Sequence, residues 1–161
     1  MRSKKSITEA IRIGRNPFIK LIDGLSEEEL NYIPAGFNNN IIWNFGHIVV
    51  STQILCYVRS GILPDMSSIK YAEDFKKGSK PTRNISAPEI EELKNLALGT
   101  IAQLEADYID GKLSSITPFS TETFGVEMNE IEEVLLMSLS HDALHYGYAL
   151  AQKRVLQKSI D

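Results

Sequence analysis

The sequence predicts an all-α protein, a four-helix bundle with long connections after its second and third helices. Apolar residues recur at spacings of three and four in four long segments, which is the period of a helix that packs on one or more faces. Helix-capping signals precede several of these segments. No alternating apolar and polar pattern is long enough to build a sheet. Long helices joined in this way are typical of a bundle.

Length and composition indicate one globular domain. The chain has 161 residues, 43% of them hydrophobic and 24% charged, with a net charge of -4. One core suffices for this length, so we assign residues 1–161 to a single domain. The small negative charge argues against a nucleic-acid partner. The long apolar stretch at 41–58 contains several polar residues, so we expect a buried helix and no membrane span.

The N-terminus and the cysteine content favour a cytoplasmic protein. The basic start of the chain is not followed by the apolar stretch of a signal peptide. The single cysteine, Cys56, cannot form an internal disulfide. We therefore expect a protein of the reducing cytoplasm.

The first helix is predicted from about Lys5 to Ile22, with Pro17 expected to kink or split it. A short helical turn follows, opened by a capping box of Ser26 and Glu29. Basic residues concentrate near and along the first helix, and we interpret them as a solvated face. These residues are Arg2, Lys4, Lys5, Arg12, Arg15 and Lys20.

The second long helix should run from about Ile41 to Arg59. It is apolar on nearly all sides and must therefore be covered on several of them. The connection at 61–86 contains two prolines, two glycines and no sustained period, so we predict a surface segment with one helical turn near Tyr71 to Phe75. Long loops in compact domains are often functional, and we expect this one near the mouth of a pocket.

The third helix opens with a capping box of Ser86 and Glu89 and ends at Asp110. The connection at 111–128 alternates serine and threonine with apolar residues, which indicates a short extended piece. The last helix should then run to about Gln157.

All three histidines lie in the most apolar segments of two predicted helices. His141 and His145 are four residues apart, so on a helix they share one face. Two imidazoles at this spacing can hold a metal ion when a third donor completes the set, and His47 in the second helix is the remaining histidine. Each histidine taken alone is more often a core residue, but together they predict one metal site inside the bundle. Three imidazoles leave an open coordination position, as in catalytic sites, and both zinc and nickel suit such ligands.

Polar residues follow the same helix faces as the histidines. In the second helix they share the face of His47, and in the last helix they share the stripe of His141 and His145. We interpret them as supports of the ligands or as substrate contacts: Trp43, Asn44, Ser51, Tyr148 and Gln152.

Two further residues could bind a metal but are oriented less well. Cys56 lies about 180° round the helix from His47 and is interpreted as a core residue. Asp142 lies about 100° off the stripe of the last helix and is a weak ligand candidate.

Three segments of the sequence form recognisable motifs: N-x-x-W-N-x-G-H-I at Asn40–Ile48, AEDFKKGSKPT at Ala72–Thr82 and H-D-A-L-H-Y-G at His141–Gly147. Together they resemble the DinB-like, or YfiT-like, family of metal-binding four-helix bundles. The resemblance runs over essentially the whole chain. It implies an up-down-down-up bundle, often a homodimer, that binds nickel or zinc through His47, His141 and His145.

The family that the chain resembles includes enzymes that use low-molecular-weight thiols, such as bacillithiol transferases and mycothiol-dependent maleylpyruvate isomerase. It also includes relatives described as metal-dependent hydrolases. The resemblance therefore implies a small-molecule substrate and leaves a low-molecular-weight thiol open as a second cofactor.

The last helix also carries apolar residues away from the histidine stripe, namely Leu135, Leu139 and Tyr146. Such a helix is apolar on more faces than one bundle covers. We therefore expect a partner helix in a homodimer.

Three hypotheses about function follow. The first is a metal-dependent enzyme in which a metal-bound water or thiolate attacks a small electrophilic substrate, by transfer or hydrolysis. The alternative is a non-catalytic metal- or small-ligand-binding protein of a stress response, with coordination completed by Gln152, Glu122 or Glu127. A third is a bundle with a vestigial site that dimerises or binds a partner. Because imidazole binds metal only when neutral, we expect metal affinity to fall below about pH 6.5.

Overall fold

The computed structural model describes the backbone of residues 4–158 and the side chains of residues 7–157, and it confirms the all-α prediction. The helices are α1 (Lys4–Asp23), α2 (Glu27–Asn31), α3 (Ile41–Gln53), α4 (Ala72–Phe75), α5 (Ala87–Ile109) and α6 (Ile131–Lys158). A π-helical turn, Ile54–Val58, continues α3, and a short 3-10 turn covers Met66–Ser68. The predicted extended piece is a pair of antiparallel strands, β1 (Phe119–Ser120) and β2 (Glu127–Met128).

Contacts between the four long helices fix their directions. Two contacts along each of three helix pairs show the relative direction of the helices. For α1 with α6 they are Arg15–Asp142 and Phe18–Tyr146. For α1 with α5 they are Thr8–Glu105 and Arg15–Ala97, and for α3 with α6 they are Asn44–Gln152 and His47–His145. The numbers rise together between α1 and α6 and run oppositely in the other two pairs. The helices α1, α3, α5 and α6 are therefore up, down, down and up, as the family resemblance implied.

A buried ion pair divides the core into two apolar clusters. Ile11 belongs to one cluster and Phe18 to the other, one turn on either side of Arg15. Arg15 is wholly buried, and its Nε donates to Asp142 Oδ2 at 2.8 Å. Its other nitrogens donate to the remaining two long helices, at Ala97 O, Ile48 O and Thr52 Oγ1. A buried charge requires such hydrogen bonds, and through them this one side chain connects all four long helices.

The solvated basic face was therefore wrong for Arg15, because its carboxylate partner lies 127 residues away in the chain. Arg12 and Lys20 of the same helix are exposed as expected. The side chains of Arg2, Lys4 and Lys5 lie outside the described residues.

The alternative that Pro17 splits the first helix is also wrong, since α1 is continuous from Lys4 to Asp23. A proline removes one backbone hydrogen bond. The buried side chains of Arg15 and Phe18 hold the helix on either side of it, and tertiary packing of this kind outweighs local propensity.

The apolar helix Ile41–Val58 is long and hydrophobic enough to pass a composition test for a membrane span, but 67% of it is buried inside the protein. It is the central helix of the bundle, covered by α4, α5 and α6. Cys56 lies on this helix and is a buried core residue, as predicted.

The three apolar residues of α6 from which the sequence predicted a partner helix do not need one. Leu135 is wholly buried in the core of its own chain, and Leu139 and Tyr146 pack against that core. The bundle itself covers the faces that appeared surplus in the sequence. A homodimer stays a prediction that rests on the family resemblance.

Candidate metal centre

The three histidines meet inside the bundle, where α3 faces α6. One ligand atom from each of His47, His141 and His145 lies within 4.8 Å of the other two. The ring centroids are 4.5 to 5.1 Å apart. Within the described part of the chain, no other group of histidine, cysteine, aspartate and glutamate side chains has metal-ligand spacing.

Two groups hold the ring of His47, the carbonyl of Phe75 and the indole of Trp43. Its Nδ1 lies 2.6 Å from the carbonyl oxygen of Phe75. A carbonyl only accepts, so Nδ1 carries the proton and Nε2 is left with a free lone pair. The indole of Trp43 stacks on the imidazole at 4.7 Å and 10°, and its Nε1 donates to Ser79 Oγ. The predicted role of Trp43 as a support therefore has a specific geometry.

Gly46 lets the Phe75 carbonyl reach His47. A Cβ at residue 46 would lie 2.6 Å from the ring of Phe75, a distance that real Cβ atoms do not show. Any side chain there would push α4 away from α3. Gly46 thus provides the space that α4 needs, and the next residue, His47, is the histidine that the Phe75 carbonyl orients.

The ring of His145 is oriented by a chain of amides. Its Nδ1 lies 2.8 Å from Asn44 Oδ1. The Asn44 amide nitrogen contacts Asn40 O, Asn39 Oδ1 and Gln152 Oε1, while Gln152 Nε2 donates to Asn39 O. Because these contacts fix which end of the Asn44 amide is oxygen, His145 also carries its proton on Nδ1 and presents Nε2 to the site.

His141 is held differently. It makes ring contacts with the other two histidines, and no described residue hydrogen-bonds to it. One turn earlier, the Oγ of Ser138 is buried without a hydrogen-bond partner among the described residues. Asp142, the weak ligand candidate, turns to Arg15 and is not part of the histidine group.

The environment keeps all three imidazoles neutral. Burial lowers the pKa of His47, while its bond to the Phe75 carbonyl acts in the opposite direction. Burial, with repulsion from His47 and Arg15, lowers the pKa of His141 to about 4. Burial and the two neighbouring imidazoles lower the pKa of His145 to about 3. These directions correct the expected loss of affinity below about pH 6.5, since the folded site protonates only at lower pH.

A cavity of about 330 Å³ opens beside the histidines. All three histidines line it, together with Ser51, whose Oγ lies 3.3 Å from His47 Nε2. The connection at 111–128 covers it, and Lys77 brings the connection at 61–86 to its edge. Its apolar walls are Ile54, Leu55, Phe119, Phe124 and Met137.

The structure does not bring Tyr148 to this cavity. Its side chain is 52% exposed, and it is not among the residues that line the cavity. At this height α6 buries Ala149 and Gln152, which lie about 100° and 40° round the helix from Tyr148 on the same side, so Tyr148 lies at the edge of the buried face. Gln152 instead is buried and hydrogen-bonded to Asn44 and Asn39.

Several groups that shape the site were not predicted. The Phe75 carbonyl is a backbone group, which any residue type could supply. Asn39 lies just before α3, outside the helical spacing by which the other polar residues were identified. Arg59 reaches the cavity because of the π-helical turn, and no residue pattern in the sequence indicated that turn.

A family model described as the DinB superfamily matches residues 10–149. The match includes all four long helices in whole or in part and all three histidines. No curated protein sequence matches the chain.

Proposed function

Because this chain belongs to the DinB superfamily, and because three neutral imidazoles meet beside a cavity, we propose that it is a metal-dependent enzyme acting on a small electrophilic substrate. A divalent zinc or nickel ion held there would supply Lewis-acid activation of a thiol or of water. The reaction class is transfer or hydrolysis, with a low-molecular-weight thiol as the cofactor of the transfer reaction.

The donor set fits such an ion. The protons of His47 and His145 are directed to Phe75 O and Asn44 Oδ1, so the lone pair of each Nε2 faces the site. The Ser51 hydroxyl lies 3.3 Å from His47 Nε2, and a bound ion would take its place as the partner of that nitrogen. Zinc–nitrogen bonds are about 2.1 Å long, so a bound ion would draw nitrogens that now lie within 4.8 Å somewhat closer together. The lowered pKa values mean that little proton release opposes binding at neutral pH.

The remaining residues of the cavity position a substrate and exclude water. Phe119, Phe124 and Met137 form an apolar wall, while Ser51 and Ser138 supply hydroxyls beside the histidines. No aspartate or glutamate appears among the described residues that line the cavity. A nucleophile there has no carboxylate base, which favours one that ionises near neutral pH, such as a thiol.

The non-catalytic alternative requires a protein group in the open coordination position. The amide of Gln152 is bonded to Asn39 and Asn44. Glu122 pairs with Lys77, and Glu127 is exposed on β2. With these candidates engaged elsewhere or exposed, the side facing the cavity is left for an exchangeable ligand, which supports the enzyme over the closed binding protein.

Metal analysis of the purified protein, followed by a turnover assay, tests the proposal. The expected result is one zinc or nickel per chain, and thiol conjugation of 1-chloro-2,4-dinitrobenzene that is lost with chelator and restored by metal. Replacing His145 with Gln should abolish both, while Lys20→Gln, an exposed change on α1, should leave both intact. A protein that retains no metal, or turnover indifferent to chelator across a panel of thiols, would refute the proposal.

A further inference from the structure

Arg59 places a positive charge at the end of the cavity away from the histidines. Its guanidinium carbon lies 4.7 Å from the centroid of the Phe119 ring, and Arg59 lines the same cavity as the histidines. Among the described residues, no carboxylate pairs with this guanidinium. The other cation of the wall, Lys77, is paired with Glu122 at 2.6 Å.

The π-helical turn brings Arg59 onto the face of His47. The two residues are twelve positions apart, and on an α-helix Arg59 would point about 120° away. A π-turn takes up one more residue than an α-turn, so the separation acts as eleven steps, or about three whole turns of 3.6 residues. Ile54–Val58 is this turn. Single π-turns of this kind are frequent at functional sites.

Apolar side chains line the cavity that Arg59 shares with the histidines. Leu55 lies between His47 and Arg59 along the helix and, with Phe119 and Met137, forms part of this apolar wall. Eleven helical steps correspond to about 16 Å along the axis, and an arginine side chain that leans back towards the helix N-terminus shortens this span. The cavity therefore combines the group of histidines, an apolar wall and, about three turns' rise or less away along the helix, a cation.

We propose that Arg59 binds the anionic group of the substrate. The substrate class is a small elongated anion, with an apolar body and a carboxylate, sulfonate or phosphate at the end distant from the reacting centre. Such groups accept paired hydrogen bonds from a planar guanidinium, and the Phe119 ring holds that guanidinium in place. Placement of the reacting end at the histidines rests on the proposed function, whereas the contact of the anion with Arg59 does not.

Calorimetric titration of the zinc-loaded, full-length protein with hexane-1-sulfonate and hexan-1-ol tests this assignment. A sulfonate is a weak metal ligand, so its charge should report on Arg59 and not on the ion. We expect the wild type to bind the sulfonate at least about tenfold more tightly than the alcohol, since a hydrogen bond to a charged group contributes about that much. Arg59→Gln should lose this preference, while Arg59→Lys should keep part of it.

Lys20→Gln is the matched control, because it removes the same charge from an exposed site on α1. It should bind the sulfonate as the wild type does. Equal sulfonate affinity in the wild type and Arg59→Gln would overturn the proposal, and so would a wild type that does not prefer the sulfonate. Zinc content is measured on the same samples. Loss of zinc would count against the proposed metal-dependent function, whereas the preference for the sulfonate depends on Arg59 whether or not zinc is retained.

Discussion

Phe75 rests its ring on the backbone of Gly46 and gives its carbonyl oxygen to the imidazole of His47, the next residue along α3. The helix α4, which belongs to the connection at 61–86, thus packs against α3 at a residue that has no side chain, Gly46. Orientation of the ligand and packing of α4 depend on the same small gap.

Gly46→Ala should destabilise the protein and weaken metal binding together. The new methyl group would overlap the Phe75 ring, and overpacking of a core typically costs about 1–3 kcal/mol. Displacement of α4 would also remove the acceptor that orients His47. Urea unfolding and zinc competition with a chromophoric chelator measure the two effects.

Gly99→Ala is the control for this change, since Gly99 is an exposed glycine within α5 with no atom within 4 Å of an added Cβ. It should raise stability by about 0.5–1 kcal/mol, because alanine favours a helix over glycine. Equal effects of the two substitutions would contradict the close approach.

Asn44→Ala should lower zinc affinity by about 10- to 100-fold, the usual effect of removing a group that orients a metal-binding histidine. The substitution removes the Oδ1 that accepts from His145 and the amide nitrogen that donates to Gln152 Oε1. Asn95→Ala, at an exposed position of α5, should leave the affinity unchanged. If zinc competition gives the same affinity for both variants, the amide chain does not tune the site.

The metal-free protein should lose stability as the pH falls below about 6.5. The unfolded chain takes up protons there with ordinary histidine pKa values, while the folded chain keeps His141 and His145 neutral until about pH 4 and 3. The stabilisation is therefore complete above about pH 6.5 and is lost progressively below it. Each pH unit costs up to about 1.4 kcal/mol per histidine.

Urea unfolding of chelator-treated protein between about pH 6.5 and 5, above the range in which most carboxylates titrate, measures this slope. Replacing His145 with Gln should reduce it, because one fewer group is protonated on unfolding. A free energy of unfolding that does not change across this range would show that the imidazoles are not held neutral by burial.

Asp142→Asn should destabilise the protein by about 3–5 kcal/mol, because it leaves the buried Arg15 guanidinium without its counter-charge. The double substitution Arg15→Met with Asp142→Leu should be less harmful than Asp142→Asn, since it removes both charges. Arg12→Gln, which breaks an exposed pair with Glu9 on the same helix, should leave the urea midpoint unchanged. A double variant at least as unstable as the single one would contradict this account.

The sequence could predict which side chains lie on the same face of one helix, because helical spacing is regular. His141 and His145 share a face because they are four residues apart, and Asn44 lies near His47 for the same reason. The position of Tyr148 was predicted wrongly because helical spacing shows which residues share a face but not where that face becomes exposed to solvent. Arg15 was misplaced because its partner is distant in the chain, and charge patterns report only local neighbours.

The contribution of Phe75 could not be predicted from residue types, because a backbone carbonyl carries no sequence signature. Gly46 belongs to one of the three motifs that carry the family resemblance, and the structure shows that a Cβ there would overlap the Phe75 ring. Leu135, which appeared to need a partner helix, is covered by its own chain. The spacing of residues within one helix does not show which other helices of the chain pack against it.

The contacts of Arg15 also bear on how the chain folds. Its acceptors come from α3, α5 and α6, so an assembly of α1 with only two of these helices would expose the guanidinium or leave it incompletely paired in an apolar interior. Partly assembled states are therefore penalised, and the last helix to dock completes the pairing for the other three. Unfolding should be all-or-none, with the same transition seen by tryptophan fluorescence at Trp43 and by far-ultraviolet circular dichroism.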